Sequence, residues 1–332
     1  MVGQKIGRVS FMMDRQLSSR ELAKSWPFKK HLDFEKRLRN AASQWFKRKG
    51  YETQKCGYIL AKHNDWHKNI ISEDVAGYIE LERKKRANNR QGFPLHKYIH
   101  HGLSSQAMLF NLIGPLIRTK EQDLSPLKTV FEKKGICWPS GELTAKLEDE
   151  DRNIFNEMTQ QPTSIDLVIE NKTKRGGLYI EFKFVEHEFG GCSVFKNGDC
   201  DGRNPAKDHS ICYLHHIGRK YWTHLDKYGF LEGPMAENAT CFLVAYYQFF
   251  REVLYALERS GVFVLLFDKR NPTFCCGNGK RGLFPFLKDF IPEQYKNNVH
   301  MVTMQEVVKA IKNSGEHSWV TDFQQKYGIT DE

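Results

Sequence analysis

Residues 178 to 185, LYIEFKFV, alternate with a period of two: Tyr179, Glu181 and Lys183 fall on one side of an extended chain, and Ile180, Phe182 and Phe184 on the other. Such alternation predicts a β-strand, and it sets a carboxylate and an amine two residues apart on a face that must also pack. Upstream, SIDLVIE (164–170) sets Ile165, Leu167 and Ile169 against Asp166. The stretch NKTKRGG between the two runs is turn chemistry, so the pair is expected as a hairpin. A carboxylate inside a strand is costly to bury unless it is paired or binds a cation. If the hairpin brings Asp166 to the Glu181/Lys183 side, two carboxylates and an ammonium converge on one point. There Mg²⁺, or Mn²⁺, could complete an octahedron with waters and phosphate oxygens, and in-line hydrolysis of a phosphodiester is the natural reaction, Lys183 orienting the water or meeting charge that develops on phosphorus. The same residues could instead form a buried ionic network that only orders the sheet.

The surroundings of this hairpin are helical. HLDFEKRLRNAASQWFKRKG (31–50) places Phe34, Leu38, Ala41, Ala42 and Trp45 at helical spacing, with Gly50 where a left-handed terminator would sit. Residues 51–98 give mixed signals and include the charged LERKKRANNRQGFP, expected as an exposed connection. In HHGLSSQAMLFNLIGPLI, Ser104 reads as an N-cap and Gly114-Pro115 as a break. Gln106 and Asn111 inside that apolar helix need partners, either neighbouring backbone or a wet cleft. KLEDEDRNIFNE (146–157) is acidic and weakly patterned, and no element is expected there. FLVAYYQFFREVLYALERSG predicts a strong helix followed by a buried strand, GVFVLLF. Gln248, Arg251, Glu252 and Tyr255 form a polar stripe on that helix; Gln248 and Arg251 are expected to reach toward a phosphate, Glu252 and Tyr255 to face solvent.

Charge narrows the partner. The formal charge of +10 is uneven: residues 1–100 carry 22 Lys/Arg against 10 Asp/Glu, and the remainder is slightly acidic. A basic amino-terminal part suits a polyanion, whose condensed counterions it would displace, and equally suits a solvated basic face. At 40% hydrophobic residues the chain can bury a substantial core. Its longest apolar runs fall short of the roughly 20 residues that span a bilayer, and MVGQKIGRVSFMMDRQ lacks a secretory h-region. A cytoplasmic protein without membrane contact is expected.

Asp166, then Glu181-Phe182-Lys183 on the next strand, with an apolar helix before and a helix–strand pair after, resembles the PD-(D/E)xK nuclease superfamily, the restriction-endonuclease-like fold. SSQAMLFNLIGPL, IEFKFVEHEFG and YYQFFREVLYALERSG are similar to a prokaryotic restriction-endonuclease branch of it, over about residues 96–275. The resemblance implies an α/β (α+β) fold, with a mixed central sheet flanked by helices. It implies that Asp166 and Glu181 are metal ligands and Lys183 the catalytic lysine, with Glu186 and Gln106 accessory. Ile165 stands where the motif has proline, Pro162 lying four positions before Asp166, and no glutamate sits in the 104–117 helix to supply a second metal. On this reading residues 1–95 form a basic, largely helical region, and 96–332 a nuclease-like domain with a Cys/His-rich insertion at about 187–240.

That insertion holds Cys192, Cys200 and Cys212 among the eight cysteines of the chain. Close CxxC knuckles are absent, so free thiols are one reading; a structural Zn²⁺ or an iron–sulfur cluster held by these three cysteines plus a histidine or a distant cysteine is the other. The pairs His100-His101 and His215-His216 suit polar contacts or phosphate binding. DGRNP, GRKYW and DKRNP alternate basic groups with turn formers, which offers Arg203, Arg219, Lys220, Lys269 and Arg270, with Arg251, as contacts to a nucleic-acid backbone. Taken together these readings predict a metal-dependent nuclease of restriction or defence type acting on double-stranded DNA, with a homodimer allowed. The alternative is a non-catalytic, zinc-stabilised nucleic-acid-binding module.

Overall fold

A computed structural model describes residues 32–88, 92–118, 123–159, 161–173, 176–275 and 282–330. The first 31 residues, Cys276 and two residues of the hairpin turn lie outside them, along with the structural part of any expectation placed there. Five strands form one sheet whose spatial order equals the chain order: β1 (Leu143–Glu150), β2 (Ser164–Asn171), β3 (Gly177–Lys183), β4 (Val262–Phe267) and β5 (Val299–Thr303). β1, β2 and β3 are antiparallel neighbours, whereas β4 and β5 join in parallel. The fold is therefore α+β, with a mixed sheet flanked by helices. Among the described residues, no helix is long and apolar enough to cross a membrane.

Numbering the helices of nine residues or more in chain order, α1 (Leu32–Arg48), α2 (Glu73–Asn88), α3 (Ser105–Arg118), α4 (Ser125–Lys133), α6 (Met304–Ser314) and α7 (Ser318–Tyr327) cover one face of the sheet. Their apolar side chains meet Leu167, Ile169, Leu178, Ile180, Phe182, Val264 and Leu266. α5 (Leu243–Glu258) covers the other face, packing on Val168, Tyr179, Phe263, Leu265 and Phe267. The period-two reading of β3 thus holds: even positions feed one core, while Tyr179 feeds the other. Full burial of each such side chain is worth roughly 1.5–3 kcal/mol. In β2 the alternation holds for Leu167 and Ile169 but not for Ile165, which joins the α5-side cluster. That departure lies beside Glu148 of β1, whose φ is +52°.

Three expectations need correction. The acidic stretch 146–157 supplies most of β1: Leu147 and Ala145 point into the core, while Lys146 reaches across to Glu170 on β2 at 2.8 Å. Gly114-Pro115 does not break α3, which continues to Arg118. Proline so near the C-terminal end removes a single intrahelical donor, and Gly114 lets α2 approach closely; a Cβ there would stand 2.5 Å from a Val75 methyl. Glu252 and Tyr255 do not face solvent but are 1% and 0% exposed. Ser104 does cap α3, accepting from Ala107 N–H at 3.2 Å. Asn111 braces its neighbours: its Oδ1 accepts from Ile71 N–H and its Nδ2 donates to Asn69 O and the Tyr327 hydroxyl.

Candidate active site

The hairpin register decides where the acids stand. β2 and β3 pair from Glu170–Gly177 to Leu167–Ile180, and one step further sets Asp166 opposite Glu181. There the ladder bond is replaced by a side chain, with Phe182 N–H donating to Asp166 Oδ2 at 2.8 Å. On the other side, Leu147–Leu167 and Asp149–Ile165 are paired in β1 and β2, which sets Glu148 opposite Asp166. Three carboxylates therefore lie in a row across three strands. They open into one cleft of about 450 Å³, together with Lys183, Gln106, Gln248, Glu186 and Glu252.

α5 closes the row from above. Lys183 Nζ lies 2.7 Å from Glu181 Oε1 and donates to Gln248 Oε1 at 2.9 Å. Gln248 Nε2 donates to Glu181 Oε1 at 2.7 Å and to Glu252 Oε1 at 2.8 Å, so one amide fixes two acids and the amine. From α3, Gln106 donates to Glu148 Oε1 at 2.6 Å and accepts from His96 N–H. Ser164 donates to the other Glu148 oxygen at 3.0 Å. Glu186 accepts from Phe184 N–H at 2.7 Å, at the cleft's rim. Arg251 lies in the same cleft, 3.5 Å from Glu157 and over the Tyr247 ring.

The electrostatics show an excess of negative charge. Burial, then Glu181 and Glu148, push the Asp166 carboxyl well above the usual carboxylate range, against the pull of Phe182 N–H and Lys183. Glu148 is pushed up to about 7, chiefly by burial. Burial and then Glu181 raise Glu252. Burial alone would lower the Lys183 amine, but Glu181, Glu186 and Glu252 outweigh it and hold it raised, hence charged. Four acids thus face one ammonium, and Glu252 Oε2 and Arg251 Nε are buried without a hydrogen-bond partner.

These donors fit a hard divalent cation. Asp166 and Glu181 each have an oxygen engaged within the protein, and among the described residues no three His, Cys, Asp or Glu side chains stand gathered as a finished metal cage. That suits Mg²⁺, which is held by one or two carboxylates and keeps several waters.

Asp166, Glu181, Lys183, Glu186, Gln106, Gln248 and Arg251 thus meet in one cleft. Arg203, Arg219, Lys220, Lys269 and Arg270 do not line it. Arg219 is buried, its guanidinium donating to Asn156 O and Thr159 O. Arg203 pairs with Asp201. Arg270 clasps Asp268 and reaches Tyr327 O and Gly328 O, while Lys220 and Lys269 are exposed. His100 and His101 pack on each other, 4.4 Å between ring centroids; neither they nor His215-His216 line the cleft, although His96 does. Cys192 is buried, with Cys200 and Cys212 partly exposed, all three as free thiols.

Two cleft residues escape the sequence reading. Glu148 hides in a stretch where acids outnumber any apolar pattern. Glu252 was visible as i+4 from Gln248, and only its direction was misread.

A sheet carrying acid, acid and amine at its open end, roofed by a polar-striped helix, defines a restriction-endonuclease-like protein. The chain belongs to the family described as restriction endonuclease associating with ARP, matched over residues 39–328. That match begins within the amino-terminal region, where no motif was legible. Comparison with curated proteins and with solved structures finds no match.

Proposed function

We propose that this chain is a divalent-cation-dependent nuclease that hydrolyses phosphodiester bonds of double-stranded DNA, in the manner its family description implies for a restriction or defence enzyme. The observation that carries the reading is Lys183 Nζ held 2.7 Å from Glu181 in a cleft shared with Asp166. Asp166 and Glu181 would hold the cation, Mg²⁺ or Mn²⁺. Bound there, it supplies a polarised phosphate oxygen and a water acidic enough to attack at neutral pH.

Everything else comes from the chain. Lys183 is kept protonated by the acids around it, so it serves as a fixed positive charge for the oxyanion forming on phosphorus rather than as a base. Gln248 locks the amine and Glu181 into one orientation. Gln106 and Ser164 hold Glu148 beside Asp166, where it accepts a proton or hydrogen-bonds a water. Arg251, with an unpartnered Nε, is placed to meet the non-scissile phosphate oxygens.

The test is incubation of supercoiled and linear DNA, modified DNA included, with Mg²⁺ or with EDTA. Cutting with Mg²⁺ alone, and its loss in Asp166→Ala with secondary structure intact, supports the assignment. Absence of cutting on every substrate, with binding retained, favours a non-catalytic nucleic-acid-binding module.

A further inference from the structure

The crossover from β3 to α5 has no strand, and its stretch 193–213 buries little: Gly202 and Pro205 are its only fully buried positions. Its helices there run three or four residues. Backbone ladders of loops this bare need another fastening. Four cysteines stand where it would be. Cys192 N–H donates to Leu243 O at 3.0 Å, and Cys241 N–H donates to Gly202 O at 2.9 Å. Arg203 bridges Thr240, and Asn204 N–H reaches Ala239 O, so the 200–204 segment runs beside 239–241. These bonds bring the backbones of Cys192, Cys200 and Cys241 together. Cys212 lies within electrostatic reach of both Cys192 and Cys241, and Cys200 within that of Cys192.

The sulfurs are also dressed as thiolates would be. Cys192 Sγ accepts from the N–H groups of Val194 and Phe195, Cys241 Sγ from those of Leu243 and Val244, and Cys200 Sγ from Gly202 N–H at 3.4 Å. Backbone N–H groups two or three residues on, aimed at sulfur, stabilise metal-bound thiolates and orient them. Among the described residues no three ligands are already closed round a common centre, so what remains is rotation of cysteine side chains about Cα–Cβ.

We propose that Cys192, Cys200, Cys212 and Cys241 form a tetrahedral Cys₄ site for a structural Zn²⁺ that staples the crossover to the start of α5. Binding replaces four S–H protons with four Zn–S bonds and releases the protons to solvent. The site is independent of the acidic cleft, and the N-terminal half of α5, which carries Gln248, links the two.

Full-length protein from zinc-supplemented expression should contain one zinc per chain by mass-spectrometric metal analysis. Reconstitution of metal-stripped protein with Co²⁺ should give the visible absorption of a tetrahedral thiolate complex. Cys212→Ser and Cys241→Ser should lose the zinc, while Cys56→Ser and Cys137→Ser, at exposed positions, should keep it. Because the first two variants can misfold, thiol titration of native wild-type protein supplies a second readout: four fewer reactive thiols than after chelation. Substoichiometric zinc with all thiols reactive, iron with sulfide-type absorption, or a disulfide between any two of the four would overturn the proposal.

Discussion

Glu148 occupies a left-handed conformation, φ +52°, that an L-residue with a long side chain adopts at a cost of order 1–3 kcal/mol. Arg86 pins it there, its guanidinium donating to Leu147 O and Glu148 O. The strained residue is also a buried acid beside Asp166, so its conformation serves the cleft rather than the fold. Glu148→Gly removes strain and charge together. Its melting temperature is expected to equal or exceed that of wild type, while cleavage falls at least tenfold; a variant that is less stable yet fully active would contradict this. Lys326 is the opposite case, a cation far from the cleft. Its amine is buried among the rings of Trp45, Phe46 and Tyr327 and donates to Asn69 O, and burial pushes it well below 10.5. Between the lowered folded value and 10.5 the unfolded chain binds a proton the folded chain lacks, so stability rises with pH across that window. Lys326→Met, which leaves Asn69 O its bond from Asn111, should therefore be more stable than wild type at low pH. That advantage should shrink as pH climbs toward 10.5, and urea midpoints at a series of pH values would show it. A constant gap would place the amine's charge elsewhere. Asp166, Glu181 and Lys183 were legible because strand alternation shows which residues share a face. Glu148 was not, because its place depends on a register with β2 that no local pattern carries.

At the scale of elements, glycine at 114 and proline at 115 look like a stop, and the helix runs on. The sequence signal was real but belonged to packing: α2 sits so close that Val75 fills the space a side chain would take. Gly114→Val should overpack this contact and destabilise by about 1–3 kcal/mol, seen as a lower urea midpoint with an unchanged slope, while cleavage per folded molecule stays near wild type. A slope change would mean that α2 had detached. β1 was missed for a related reason. Its outward residues, Lys146, Glu148 and Glu150 among them, are charged because they pair across strands or enter the cleft, so alternation gave way to what reads locally as an acidic loop. α5 was legible as a helix from its apolar spacing, but which polar residues turn inward depends on the crossover above it, and no periodicity encodes that.

Across the whole molecule, chain ends far apart in sequence share one core. Phe34 and Leu38 of α1 lie in the same cluster as Phe323, Tyr327 and Ile329. Lys49 pairs with Asp322 at 2.8 Å, and Arg270 holds the carbonyls of Tyr327 and Gly328. Removing residues 318–332 takes away four buried apolar groups of that cluster and the Tyr327 partner of Asn111. The truncated chain should lose cooperative thermal unfolding by circular dichroism; retention of the wild-type transition would show that α7 is dispensable. The same core sets the platform on which the cleft is built, since Phe182 packs below the sheet while its neighbours Glu181 and Lys183 face the cleft above. The most direct measurement of the central claim is single-turnover cleavage of a pool of randomised duplex DNA by wild type and by Lys183→Met, with binding to the same pool followed in parallel. Lys183→Met should bind as wild type does and cut on the order of 10²–10³-fold more slowly with Mg²⁺ present. Equal cutting by the two proteins would contradict the assignment of Lys183 and with it the reading of the cleft.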